Sequence, residues 1–347
     1  MKKSFYFSLA LLFLLTACDE DKKYYKEPPF EGGTTTLDGG EGEVSAVNSV
    51  YVDFSTGKQL SVARSSWNIA VHCGSEFGIK LNNTIGAGAT KAAEGIALGT
   101  VMNDEQKQAA LDVLVTNMQE GRFADFTTVD QMDCEANLAG TIIKKDIVYI
   151  LYSGEVDKET YKVSVKEKNS SSYTVSYAVW NSSEVKSVDV AKDSKYNFIG
   201  VNFKENKSVN VQPEKEAWDI VWGRTILPMA YMGTDIAMLY ADVVLLNLKD
   251  GVKAKEMLVE EAGAYADYTA IMAESVTLES AFDVIGSTWR ANDVMNGGKV
   301  VARTDRFYLI KDAQNNIYKL GFVSASDGDG GRRGYPEIKY ALLIEAE

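Results

Sequence analysis

The chain has 347 residues, 46% of them hydrophobic and 24% charged, with a formal net charge of −13. That length and apolar content allow two ordinary hydrophobic cores in domains of roughly 100 to 200 residues each. The acidic balance argues against nucleic acid and anionic lipid surfaces as partners, because both require clustered Lys and Arg.

The N-terminus carries an export pattern. Met1-Lys2-Lys3 is a basic start, Phe5 to Leu15 is an apolar run too short to span a bilayer, and Leu15-Thr16-Ala17-Cys18 is a small-residue cleavage site ending in cysteine. The pattern predicts a lipoprotein signal over residues 1–18, with the Cys18 thiol as the nucleophile that takes the lipid. No later segment is apolar and long enough to cross a membrane, so the expected attachment is by lipid anchor only. The adjoining Asp19-Glu20-Asp21 is similar to an acidic signal that, in a group of anaerobic Gram-negative bacteria, sends lipoproteins to the outer face of the outer membrane; a solvated charge run is the alternative reading. Residues 19–43, with Pro28-Pro29, Gly32-Gly33 and Gly39-Gly40 and no hydrophobic periodicity, read as a flexible tether.

Beyond the tether, strand signals dominate the chain. Val50 to Phe54, Leu60 to Val62, Trp67 to Val71, Phe77 to Leu81, Ile147 to Tyr152, Tyr161 to Val165 and Tyr173 to Val179 are short aromatic or β-branched runs set off by polar turns. A second series runs through Phe198 to Phe203, Ser208 to Val211, Trp218 to Trp222, Val243 to Leu246, Phe307 to Ile310, Tyr318 to Val323 and Ile338 to Ile344. Asp104 to Gln119 and Lys253 to Glu274 hold helix formers at helical spacing and predict a helix or two in each half.

The two series say the same thing twice. VDFSTGKQLSV from Val52 aligns without a gap on VNFKENKSVNV from Val201, and Trp67-Asn68-Ile69 is echoed by Trp218-Asp219-Ile220. Asp146 to Leu151 matches Asp305 to Ile310, Tyr161-Lys162-Val163 matches Tyr318-Lys319-Leu320, and Tyr177-Ala178 matches Tyr340-Ala341. Landmarks repeated in order at this long period predict duplication of a whole domain and no short-period solenoid. The expected fold class is mainly β, with two tandem antiparallel domains over residues 44–182 and 183–347 and minor helices.

Each half, with its Trp-Asn/Asp-hydrophobic opening strand and its closing aromatic strand, polar turn and Tyr-Lys-hydrophobic strand, resembles a domain of the HmuY-like family of haem-binding lipoproteins. The residues that carry the resemblance are Trp67 to His72 and Trp218 to Trp222 at the front. At the back they are Phe307 to Ile310 and Asn315 to Leu320, with Val243 to Asn247 between. The resemblance implies an all-β domain that grips haem b or a related porphyrin between two finger-like extensions through two axial side chains. It further implies capture of haem, mainly in the second domain, and delivery to an outer-membrane TonB-dependent transporter. The family prototype uses two histidines, whereas this chain has one; the bis-methionine arrangement of several other family members is what the resemblance then implies for this chain. Met295 falls near the position of the family's second ligand, and Met272 lies in the stretch that supplies its first. Methionine sulfur is an accepted axial haem ligand that favours ferrous iron. Met272 also suits a core position in its helix-like run, whereas Met295 sits in a polar loop that gives packing little use for it. Met229 and Met232, with Met238, form a second-choice cluster that alternatively packs under a loop. The first half has no counterpart of the Trp289 loop and is expected to serve as a spacer or docking domain.

Other chemistry is poorly represented. His72 on the Trp67 strand suits a hydrogen-bonded structural role better than ligation, and His72-Cys73 lacks the further ligands of a zinc site. Cys73 and Cys134 leave a disulfide and two buried thiols equally open. Neither a His-based acid and base pair, nor a nucleophile elbow, nor a phosphate-binding glycine loop is present, so no enzyme is expected. Asp327-Gly328-Asp329-Gly330 lacks the terminal glutamate of a calcium loop and reads as a hairpin turn. A β-rich surface interaction module without haem is the alternative function.

Overall fold

A computed structural model describes residues 28–42, 46–119, 143–154, 158–293 and 297–346. The first half of the chain supplies β1 (Gly32–Thr36), β2 (Asn48–Asp53), β3 (Lys58–Ala63), β4 (Ile69–His72), β5 (Ile79–Leu81) and β6 (Gly88–Lys91). Helix α1 (Asp104–Gln119) comes next, then β7 (Tyr149–Tyr152), β8 (Thr160–Asn169) and β9 (Ser172–Val179). The second half supplies β10 (Lys186–Ala191), β11 (Phe198–Asn202), β12 (Lys207–Asn210), β13 (Ile220–Tyr231), β14 (Thr234–Leu246) and β15 (Lys253–Leu258). Two short helices, α2 (Val259–Ala262) and α3 (Ala270–Ala273), precede β16 (Arg290–Asp293), β17 (Lys299–Ala302), β18 (Arg306–Lys311), β19 (Ile317–Ser324) and β20 (Glu337–Ile344). The protein is mainly β and antiparallel throughout its described ladders.

The strands form two sandwiches. One packs the sheet β1-β20-β19-β18-β15 on β14-β13-β2-β3 around Trp222, Trp289, Tyr308, Tyr318 and Leu320. The other packs β10-β9-β8-β7-β6 on β12-β11-β4-β5 around Ile69, Leu151, Val163, Tyr173 and Val201. Alternating residues of β18 divide between the two faces of their sheet: Tyr308 and Ile310 enter the first core, while Phe307 and Leu309 meet a separate cover made by Tyr268 and Ala273.

Strand pairing crosses the expected boundary at residues 182 and 183 in both directions. β2 from the first half pairs with β13, Ile220 opposite Val52, and β11 from the second half pairs with β4, Val201 opposite Ile69. β1 pairs with β20 and β10 with β9, so each half lends its first three strands to the sandwich completed by the other. The same contacts recur at both junctions. Asp219 accepts the Phe54 N–H at 2.7 Å, and Asn68 accepts the Phe203 N–H at 2.8 Å. Phe54 packs against Tyr318 and Tyr340, and Phe203 against Tyr161 and Tyr177. Asn82 donates to the carbonyls of Arg64 and Trp67, and Asn247 to those of Lys215 and Trp218.

Two local expectations need correction. Lys253 to Glu274 is helical in its later part alone: Lys253–Leu258 is β15, hydrogen-bonded along β18, and the short helices α2 and α3, with a 3-10 turn at Tyr265–Asp267 between them, follow it. Gly32–Thr36, expected within the tether, is an edge strand on β20, where Tyr318 donates to the Phe30 carbonyl at 3.1 Å. In both places a tertiary ladder overrides local propensity.

Candidate functional site

The site begins at a bulge. Gly223 pairs with Val243 but Arg224 pairs with Ala241, which leaves Asp242 as the extra residue, at a φ of 53°. The bulge turns the Asp242 main chain and carboxylate toward the next hairpin, β16–β17. Trp289 donates its indole N–H to the Asp242 carbonyl at 2.8 Å, and Arg290 Nη2 donates to the Ala241 carbonyl at 2.8 Å. The buried Asp242 carboxylate accepts a hydrogen bond from Arg333 and lies 3.8 Å from Arg290 Nε. Burial pushes the nearby Arg64 guanidinium down to about 9, with Arg224 acting in the same direction and Asp242 opposing it. Two hairpins are therefore rooted on one bulge and held there by charge-assisted bonds.

Beyond the bulge, β13 and β14 continue as a two-stranded arm. One face, Ile226, Ala237 and Leu239, packs on Leu111 and Leu114 of α1 and on Tyr152. The other face carries Leu227 opposite Met238 and Met229 opposite Ile236, as the strand alternation requires. Its outer end is open, with Tyr231 52% and Met232 90% exposed. Met232 and Gly233 form the two-residue turn between Tyr231 and Thr234, both at positive φ, 49° and 85°. Of the two readings of this cluster, second-choice ligands or packing under a loop, the structure does not fit the loop: Met229 is on a strand and Met232 is at the arm's tip.

The β16–β17 hairpin pairs Asp293 with Lys299 at its described end. Met295, with Val294 and Asn296, lies outside the described residues. A polar cavity of about 530 Å³ opens beside this hairpin, lined by Lys299, Val300, Asp327, Arg332, Arg333 and Glu41 among others. Its cations are matched by carboxylates: Lys299 meets Asp327 at 2.7 Å and Arg332 meets Glu41 at 2.6 Å. Asp329 organises the adjoining wall by accepting the N–H groups of Ala302, Ala325 and Ser326. The Asp327 to Gly331 stretch belongs to the connection from β19 to β20.

Met272 is elsewhere. It lies on α3, 42% exposed, over the cover of Tyr268, Phe307 and Leu309, on the face of β18 opposite to the one that receives Trp289 and Val300. The structure thus does not bring Met272 to the hairpin that carries Met295. His72 is buried, its Nδ1 3.3 Å from the Glu76 carbonyl and its ring 5.5 Å from that of Phe198. Cys73 is a free, half-buried thiol that burial shifts upward, while Cys18 and Cys134 lie outside the described residues. Among the described residues, no group of three His, Cys, Asp or Glu side chains could hold a metal ion, and no helix is long and apolar enough to cross a membrane. Sequence reading missed Asp242, Arg290 and Arg333. The only available signal was an aspartate opening the apolar run Val243 to Leu246.

No curated protein and no solved structure matches the chain. The sequence profile of one family, described as HmuY protein, matches residues 45–340, a span that includes both hairpins rooted on Asp242 and, apart from Leu37, the buried cores of both sandwiches, and the chain therefore belongs to the HmuY family.

Proposed function

We propose that the protein is a lipid-anchored haem-binding protein whose site lies between the β13–β14 arm and the β16–β17 hairpin. Family membership supports the ligand, and the common root of the two hairpins on Asp242 is the observation that carries the location. Met295 ligates the iron from one hairpin, and a thioether of the Met229 and Met232 cluster does so from the other. The exposure of Met232 supports that assignment. The donor set suits the group: thioether sulfur is soft, and the chain's one imidazole is buried against Phe198 and held by a carbonyl. Bound haem would supply redox-active iron. The protein's own contribution is to hold it and, from the cell surface, to pass it to a transporter in the outer membrane.

Titration of the mature protein with haemin, oxidised and then reduced by dithionite, tests the proposal. Tighter binding and a sharper spectrum in the reduced state are expected, because two thioethers favour ferrous iron. Met295→Ala should abolish the reduced spectrum, and either Met229→Ala or Met232→Ala should alter it strongly. Met272→Ala and His72→Ala should leave it unchanged. Absence of binding in either redox state would instead favour a β-rich surface interaction module.

A further inference from the structure

The β16–β17 hairpin is held along both of its strands, by two different elements. On the β16 side the β14 bulge takes the Trp289 indole N–H and Arg290 Nη2 on the carbonyls of Asp242 and Ala241, each at 2.8 Å. On the β17 side the connection from β19 to β20 does the same work. Ser326 Oγ donates to the Val300 carbonyl at 2.5 Å, and the Ala302 N–H donates to Asp329 at 2.6 Å. Connection and strand pack closely enough that a Cβ on Gly328 would stand 2.9 Å from Lys299 Cβ. Trp289 also stacks on Phe322, ring centres 4.3 Å apart, which ties the start of the hairpin to β19. Bulge and connection then meet each other. Arg333 of the connection donates to Asp242 Oδ2, the oxygen that also lies 3.8 Å from Arg290 Nε. Bulge, hairpin and connection thus form a closed ring, with Asp242 and Arg333 at its joint.

That joint is built to open as well as to close. The Asp242 side chain is 5% exposed, but that of Arg333 is 23% exposed and forms part of the wall of the polar cavity, so solvent reaches one partner. A buried ion pair gains little net stability, because desolvation offsets the attraction, and its best-attested use is to fix a register or serve as a switch. Burial lowers the Arg290 pKa, Asp242 raises it and Arg333 lowers it again, so the two guanidinium groups repel and the carboxylate is what keeps them together. We propose that Asp242 and Arg333 are a latch: paired, they hold the β16–β17 hairpin at a fixed distance from the β13–β14 arm, and parted, they free it, so that the pair regulates the grip of the site between the two hairpins. Both are positioning residues, since neither ligates the iron. Control of the grip rests on the haem reading, whereas the latch on the hairpin does not.

Hydrogen exchange of the full mature protein, free of haem, tests the latch. Asp242→Asn and Arg333→Gln should each speed exchange of the β16–β17 amides about tenfold, the worth of one hydrogen bond to a charged group, and leave the β18–β19 ladder unchanged. The double variant should add little to either single one, because both remove the same pair. Arg333→Gln, at the partly exposed partner, carries the test if Asp242→Asn does not fold. Unchanged exchange in the hairpin, an equal rise in β18–β19, or additive effects of the two substitutions would overturn the latch. With haem bound, Arg333→Gln should lose it to an excess of apomyoglobin about tenfold faster while the reduced spectrum stays the same, because the iron keeps its ligands. Unchanged release from a variant whose hairpin exchanges faster would overturn the control of the grip. A wild type that binds no haem would defeat the haem reading alone, and the exchange comparison would still decide the latch.

Discussion

At Asp219 a single carboxyl joins the two ends of the chain. It is 1% exposed and accepts the N–H groups of Phe54 and Ala313, and burial, with Asp312 and Asp53 adding, pushes it up to about 8. In the unfolded chain it releases its proton near the ordinary aspartate value of about 4. Between those values the folded state binds the extra proton. Its contribution to stability is therefore complete below about pH 4 and is lost as pH rises through about 8, with a slope of up to about 1.4 kcal/mol per pH unit. Urea unfolding of the wild type between pH 5 and 8 should show stability falling with pH. Asp219→Asn should start lower, because an amide nitrogen cannot accept from Ala313, but its profile should be flatter. Asn68, which holds the Phe203 N–H in the other sandwich, shows that a neutral amide suits this geometry. That Asp219 and Asn68 correspond was legible in the Trp-Asp-Ile and Trp-Asn-Ile motifs. That each reaches across to the opposite half was not, because a motif carries no partner.

At the scale of elements, the runs with a clear apolar pattern were readable. β2, β8, β9, β18, β19 and β20 lie where aromatic and β-branched residues place them, and α1 spans the expected Asp104–Gln119. β1 was not readable, because Gly32-Gly33-Thr34-Thr35-Thr36 has no buried face of its own and becomes a strand only by pairing with β20. The outer halves of β13 and β14 were missed because Pro228 speaks against a strand. A two-stranded arm consists wholly of edges, so the proline loses no ladder partner there. The arm's turn gives a direct test. Two central residues at positive φ call for Asn-Gly, and Met232 is a costly occupant of the first. Met232→Asn should raise stability by about 1 kcal/mol, seen as a higher Tm. Loss of the reduced-haem spectrum in the same variant would identify Met232, and not Met229, as the partner of Met295.

For the molecule as a whole, the exchange of β1–β3 against β10–β12 makes each half of the chain incomplete without the other. The sequence could not reveal this, because a hairpin that pairs within its own half and one that pairs across show the same apolar alternation. The expected cut near Ser182 to Glu184 therefore leads to a different outcome from two free domains. A protease site inserted there and cleaved in the folded protein should leave two fragments that elute together and melt in one transition, separating only in denaturant. Fragments that part in native buffer, each with its own cooperative melt, would show that the ladders between β2 and β13 and between β4 and β11 contribute little.

The same exchange sets a timetable for a chain delivered from its N-terminus. The sandwich built on β4 to β12 has all its strands once residue 210 has emerged. β1 to β3, made first, stay without their partners until β13 and finally β20 arrive, and the bond from Tyr318 back to Phe30 spans 288 residues. Closing contacts that distant is slow, and strand edges left waiting invite pairing with the wrong chain. A chain made in this order thus depends on protection of its earliest strands until its last ones appear.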